Sequence, residues 1–171
     1  SNVRLEQPPR YRSRITVLDI DSRKAQTLYE GDGVIEAPNW SRDGKFLLVN
    51  TGGGLFKLPF DQSPAKLDRI ALDASYRCNN DHDLSKDGKL LAFSASTPES
   101  RQSQVFVANA DGSSPKLLTP TAPSYFHGWS PDGKWLAFVG QRDRKYELFR
   151  VSVDGGPEQR LTSKGAYDDG P

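Results

Sequence analysis

The stretch SPDGKWLAF at residues 130–138 decides the fold, because close copies of it occur twice earlier in the chain. The copies are SRDGKFLLV at residues 41–49 and SKDGKLLAF at residues 85–93. Their serines, Ser41, Ser85 and Ser130, lie 44 and 45 residues apart. A match of this length at nearly constant spacing indicates a structural repeat of about 44 residues.

Each copy combines a turn with a short apolar run. The Ser-x-Asp-Gly part is typical of a tight turn, in which glycine supplies a positive φ and Pro131 presets the first central φ of one copy. The apolar run that follows is bounded by turn residues and predicts a buried strand. Each motif therefore predicts a hairpin between a first and a second strand. Trp40 and Trp129 precede the serine in two copies and are predicted to pack between repeats.

A second hairpin follows each motif. The predicted third strands are residues 55–60, 104–109 and 147–153, and the predicted fourth strands are residues 67–72, 116–119 and 159–162. Asp-Gly pairs at 111–112 and 154–155 supply turns between third and fourth strands. Four short antiparallel strands per repeat are the layout of a β-propeller blade, so the sequence predicts an all-β fold of four-stranded antiparallel blades.

The repeat also predicts how the chain is divided. Residues 12–32 hold only a third and a fourth strand, a half blade, and the blades occupy 33–77, 78–122 and 123–166. Residues 167–171 would start a further blade, and residues 1–11 form an N-terminal extension whose Ser1 and Asn2 match a tag remnant. About three and a half blades make a partial propeller. We expect either a fragment of a longer protein or a chain that forms a homodimer through its open ends.

Composition excludes several classes of protein. Lys and Arg number 23 against 22 Asp and Glu, so the sequence lacks the basic excess of nucleic-acid-binding proteins. No apolar run approaches the roughly 18 residues of a membrane-spanning helix. The single cysteine, Cys78, forms no internal disulfide, and no Cys/His cluster predicts a structural metal. The sequence predicts no cofactor, no nucleic-acid partner and no membrane span.

The repeat resembles that of the TolB-like propellers. The resemblance rests on the three nine-residue copies, on Asn109-Ala110-Asp111-Gly112 and on residues 116–119, and it covers about residues 12–171. It implies a periplasmic protein that binds protein or peptide partners, such as the peptidoglycan-associated lipoprotein, without catalysis. Similar repeats form the propellers of oligogalacturonate lyases and of prolyl oligopeptidase-type peptidases. A metal-assisted polysaccharide lyase and a gating propeller of a serine peptidase therefore remain alternatives.

Two histidines mark the candidate site. His82 and His127 each precede the motif serine by three residues, on first strands that line the central channel of a propeller. We expect a ligand-binding mouth that contains His82 and His127, extended by Asn80, Asp81, Asp83, Tyr125 and Arg77. Imidazole and carboxylate groups suit a divalent cation, a carboxylate or a sugar. The alternative is that each histidine forms hydrogen bonds between blades and orders the loop before its strand.

No catalytic residue is predicted, since the chain contains no G-x-S-x-G nucleophile motif. Loops and strand ends from several blades converge at a propeller's channel mouth on a rigid support, which favours binding there. The sequence therefore predicts a non-catalytic scaffold that binds a protein, a peptide or a small ligand at the mouth. The cell envelope is the location that the resemblance implies.

Overall fold

The computed structural model describes residues 11–62 and 64–162, and these residues form 14 strands and no helix. None of the described residues therefore belongs to a helix long and apolar enough to cross a membrane. The predicted start of a further blade, at 167–171, and nearly all of the predicted N-terminal extension lie outside the described residues.

The strands form one two-stranded and three four-stranded antiparallel sheets, each in chain order. The half blade comprises β1 (Arg12–Leu18) and β2 (Ala25–Asp32). The first blade comprises β3 (Glu36–Trp40), β4 (Phe46–Thr51), β5 (Gly54–Pro59) and β6 (Asp68–Arg69). The second comprises β7 (Arg77–Leu84), β8 (Leu90–Ser96), β9 (Gln104–Asn109) and β10 (Lys116–Leu117). The third comprises β11 (Ser124–Trp129), β12 (Trp135–Arg142), β13 (Lys145–Ser152) and β14 (Gln159–Arg160). The predicted all-β fold of four-stranded blades is confirmed.

The repeated motif forms the turn between the first and second strands of each blade. In the second blade the Ser85 hydroxyl donates to Asp87 Oδ1 at 2.7 Å and accepts from the Leu90 backbone N–H at 2.9 Å. The serine–aspartate bond recurs at 2.8 Å in the first blade and at 2.6 Å in the third. The Ser85 hydroxyl and then the Lys89 backbone N–H lower the pKa of Asp87. The constant spacing within the motif therefore reflects a side-chain bond that closes the turn.

Apolar side chains fill three successive interfaces between sheets. The core between the first and second blades contains Leu48 and Leu55 on one side and Leu91 and Phe93 on the other. A similar core joins the second and third blades, and a smaller one joins the half blade to the first. Each central strand thus buries both faces, one against the preceding sheet and one against the next.

The two tryptophans before the motif serines differ in environment. Trp129 packs against the core between the second and third blades, as predicted, and its indole Nε1 donates to the Asp83 carbonyl at 3.3 Å. The same prediction is wrong for Trp40, whose side chain is 53% exposed and lies on the Phe60 ring at 4.8 Å between centroids. The reason is that the half blade before Trp40 has no first strand among the described residues that could offer an equivalent carbonyl.

The fourth strands are shorter than predicted, and in the second and third blades a threonine side chain takes over part of their pairing. In the second blade the ladder ends at Leu117, and the buried Thr119 hydroxyl then accepts from the Val105 backbone N–H at 2.8 Å. In the third blade Thr162 accepts from the Leu148 N–H in the same way, at 3.0 Å. The threonine thus satisfies a third-strand donor that the fourth strand no longer reaches.

We expect Thr119→Val to destabilise the fold by about 1–3 kcal/mol, because an isosteric change leaves the buried Val105 N–H without its acceptor. Urea unfolding monitored by circular dichroism measures this loss. Thr162→Val is the matched control, and its effect is smaller because Thr162 and Leu148 are only half-buried and water reaches the freed N–H. Equal losses in the two variants would contradict the explanation.

Candidate functional site

The first strands of the three blades lie side by side and carry the predicted site residues. The Asn39 side-chain amide on β3 donates to the His82 carbonyl on β7 at 2.7 Å. The Trp129 indole on β11 donates to the neighbouring Asp83 carbonyl at 3.3 Å. These bonds hold β3, β7 and β11 together as the inner wall of the partial propeller.

Bulges interrupt the first strands and change where their side chains lie. Between Cys78 and His82, β7 has two more residues than the facing part of β8. Between Phe126 and Gly128, β11 has one more residue than β12, and that residue is His127. Bulges re-aim the side chains around them. The two histidines therefore have equal positions in the repeat but different positions in the sheets.

His82 and His127 lie in opposite environments. His82 pairs with Phe93 and is only 3% exposed, and burial lowers the pKa of its imidazole to about 4. His127 is exposed. The partner of Phe138, which corresponds to Phe93 in the repeat, is Phe126. His82 is thus the structural counterpart of Phe126, and the structure does not bring the two imidazoles into one site.

Four other predicted residues lie on the first strands of the second and third blades. Arg77 and Tyr125 lie near the starts of β7 and β11, and Asn80 and Asp81 lie within the β7 bulge. We call these four residues the mouth cluster. Arg77 and Asn80 are exposed, while Asp81 and Tyr125 are half-buried. The Asn79 amide donates to Asp81 Oδ2 at 2.7 Å, and the Asp81 N–H donates to Asn79 Oδ1 at 3.0 Å. These two bonds fix the Asp81 carboxylate within the β7 bulge.

The mouth cluster spans the joint between the second and third blades. Burial raises the pKa of the Tyr125 hydroxyl, and the nearby Tyr146 and Asp81 raise it further. Tyr125 of the third blade therefore lies within electrostatic range of Asp81 of the second. Tyr146 was missed from the sequence, because it lies on β13, two strands away from β11 in the sheet. On the other side, the Arg77 side chain packs over Gly53, where a Cβ would lie 3.3 Å from Arg77 Cδ.

Asp83 links the second blade to the first. The Arg42 guanidinium donates to Asp83 Oδ2 at 2.7 Å and to the Leu84 carbonyl at 2.9 Å. Burial raises the pKa of Asp83, and Arg42 opposes this shift. Sequence reasoning missed Arg42 because it occupies the variable position of Ser-x-Asp-Gly, which the other copies fill with Lys86 and Pro131.

The mouth cluster can form hydrogen bonds and ion pairs with a ligand. It presents a guanidinium, an amide, a carboxylate and a phenol on two adjacent first strands. Within residues 11–62 and 64–162, no three His, Cys, Asp or Glu side chains are grouped so that they could hold a metal ion. The one thiol, Cys78, is buried, and burial raises its pKa to about 12.

Several of the known proteins that this chain resembles are TolB proteins. No protein-family profile matches the chain. An uncharacterized Agrobacterium fabrum protein is 41% identical over 162 residues, which are 94% of this chain and 54% of that protein. The Tol-Pal system protein TolB of Francisella tularensis is 26% identical over 144 residues, covering 82% of this chain and 32% of that protein.

Solved structures show the same arrangement of strands. A structure from Agrobacterium tumefaciens with a provisional TolB name matches 96% of this chain and 58% of its own, with a TM-score of 0.85 and 36% identity. TolB from Acinetobacter baumannii matches 90% of this chain with a TM-score of 0.73 and 19% identity, which shows the fold alone. The chain spans little more than half the length of its Agrobacterium relatives. Its three repeats, its blades and these relatives together identify the chain as a TolB-like β-propeller repeat protein.

Proposed function

We propose that the chain is a non-catalytic propeller scaffold of the bacterial cell envelope, which binds a protein or peptide partner at the mouth cluster. The location and the kind of partner follow from the resemblance to relatives named Tol-Pal system proteins. The geometry of the first strands supports this position for the binding site.

The observation that carries the proposal is that the mouth cluster lies on two adjacent first strands that are hydrogen-bonded to each other. Arg77 and Asn80 on β7 are exposed and Tyr125 on β11 is half-buried, and hydrogen bonds join β3, β7 and β11 across the three blades. Arginine and tyrosine are enriched in protein interfaces, where they supply hydrogen bonds and large contact areas. Because the strands fix these side chains in advance, a partner meets little ordering cost on binding.

No described contact favours an enzyme. The lyase alternative depended on histidines gathered at one mouth, but His82 is buried in the joint between the first and second blades while His127 is exposed. The peptidase alternative would place catalysis in a separate domain, outside the described propeller.

The test uses the soluble domain of the peptidoglycan-associated lipoprotein as the probe, because the named relatives belong to the Tol-Pal system. We expect the double variant Asn80→Ala and Tyr125→Ala to bind this probe at least tenfold more weakly in isothermal titration calorimetry. A few residues contribute most of the binding energy of an interface, so truncating two of them has a large effect.

The control is Lys134→Ala, at the exposed turn that follows β11, far along the blade from Tyr125. This variant should bind as tightly as the unchanged chain, and all variants should melt at similar temperatures. Equal binding by the mouth variant and the control, or no binding of the probe by the unchanged chain, would refute the proposed site or partner respectively.

A further inference from the structure

The His82 imidazole is buried without a hydrogen-bond partner. Both ring nitrogens, Nδ1 and Nε2, are inaccessible and make no bond to any protein group. Among the described side chains with this property, the other amide or imidazole is Asn50, whose Oδ1 is also buried and unpartnered. A buried polar atom without a partner costs about 1–3 kcal/mol, so two such side chains call for a bound polar group.

The register of the sheets places Asn50 and His82 in the same interface between blades. Asn50 pairs with Leu55, and His82 pairs with Phe93. Because directly paired residues project from the same face, and because Leu55 and Phe93 belong to one core, both polar side chains face the joint between the first and second blades.

The next joint shows what these two positions do. Ser94 occupies the position in the second blade that Asn50 occupies in the first, four residues after the strand begins. The Ser94 hydroxyl accepts from the backbone N–H of Phe126, the structural counterpart of His82, at 2.7 Å. In that joint a short polar side chain contacts the following first strand directly. In the joint between the first and second blades, the same two positions carry Asn50 and His82.

We propose that one water molecule binds between Asn50 Oδ1 and the His82 imidazole and links the first blade to the second in an acid-sensitive joint. The water donates to Asn50 Oδ1 and accepts from the protonated ring nitrogen of the neutral imidazole. Buried waters characteristically bridge groups of this kind in protein interiors. Such a bridge requires a neutral His82 without a carboxylate partner.

The groups around His82 fit this requirement. On its own strand, Cys78 is a buried neutral thiol, the Asp81 carboxylate accepts from the Asn79 amide, and Asp83 is paired with Arg42. The strand β8 presents the Phe93 ring, and the first blade presents the amides of Asn39 and Asn50. Burial is the cause that lowers the pKa of His82 to about 4, and no neighbouring charge contributes.

The direction of the pH effect follows from this lowered pKa. A histidine in the unfolded chain has a pKa of about 6.5. Between pH 6.5 and 4, His82 is therefore protonated in the unfolded chain but stays neutral in the folded chain. The contribution of neutral His82 to the free energy of unfolding is therefore fully present above pH 6.5, and it declines as the pH falls towards 4. Between pH 7 and 5 the unfolding equilibrium constant should rise about 20-fold from His82 alone.

The test replaces the polar pair between the first and second blades with the residues that occupy the same positions between the second and third. Asn50→Ser with His82→Phe reproduces the Ser94 and Phe126 pair, and we expect this double variant to lose the acid effect of about 20-fold in urea unfolding at pH 7 and pH 5. His82→Gln, which stays polar but does not titrate, provides a second variant that should also lose it. His127→Gln is the matched control at the exposed histidine and should retain it.

The water itself is tested by nuclear magnetic resonance. We expect a long-lived water to give a nuclear Overhauser effect to the His82 ring in the unchanged chain, and this signal should vanish in Asn50→Leu. An acid effect of equal size in the unchanged chain and in His82→Gln would overturn the acid-sensitive joint. A His82 ring without a water contact would overturn the bridge.

Discussion

Replacing Gly112 with alanine is expected to destabilise the fold by about 3 kcal/mol, because the new methyl group has no room and the backbone suits glycine alone. Gly112 has a φ of 91° in the turn between β9 and β10. A Cβ there would lie 2.7 Å from Ile70 Cγ2 and 2.9 Å from the backbone atoms Ala71 C and Leu72 N. These atoms belong to the segment after β6, so the methyl group would push the second blade away from the first.

The turn at Gly112 cannot simply move aside. The Ala71 backbone N–H donates to the Asp111 carbonyl at 3.1 Å, which ties the turn to the first blade. Relief of the clash would therefore break a hydrogen bond between the blades and loosen the apolar core beneath it. Urea unfolding followed by tryptophan fluorescence measures the loss.

Gly133→Ala is the matched control for this prediction. Gly133 has a φ of 70°, and a methyl group added to it would have no other atom within 4 Å. It should lose only the roughly 1 kcal/mol of a left-handed alanine. The prediction for Gly112 would fail if the two variants lost the same stability, because the contact with the first blade would then contribute nothing.

Phe93→Ala is expected to cost about 3–5 kcal/mol, the usual range for removing a fully buried aromatic ring. Phe93 is 0% exposed and stacks on Phe106 at 5.5 Å between centroids. The Tyr76 ring meets both of these rings edge-on, at 5.8 and 5.2 Å. The alanine variant would leave a cavity in the core that joins the first blade to the second.

The loss at Phe93 is measured by urea unfolding, with Phe56→Ala as the control. Phe56 is only half-buried, so its removal should cost less than half as much. Since a loss of about 5 kcal/mol could unfold the chain outright, Phe93→Leu provides a milder change with an expected cost of about 1–2 kcal/mol. Equal losses at Phe56 and Phe93 would show that the joint between the first and second blades is not the stabilising core described above.

Much of the fold could be predicted from the repeat, because its signals are local. The Ser-x-Asp-Gly turn closes through bonds between residues two to five apart, as Ser85 shows with Asp87 and Leu90. The apolar runs after each turn became the buried second strands. The lengths of the fourth strands were predicted less well, because Thr119 replaces backbone pairing with a side-chain bond that no periodicity reveals.

The candidate site could be predicted only in part, because it depends on register. Arg77, Asn80, Asp81 and Tyr125 were named from their place before the motif, and the structure sets them on adjacent first strands. Arg42 was missed, since it binds Asp83, 41 positions further along the chain. No local pattern distinguishes such a residue from its neighbours on the same strand.

The sequence by itself determined the four-stranded blade, its turns and its order, because turn chemistry and alternating burial act over a few residues. Only the tertiary structure decided that His82 and His127, equally placed before their serines, have different roles. The bulge at His127 places Phe126 opposite Phe138, whereas in the second blade His82 itself lies opposite Phe93. A shift of one residue in register exchanges a buried side chain for an exposed one, and that shift is set by how the strands pair.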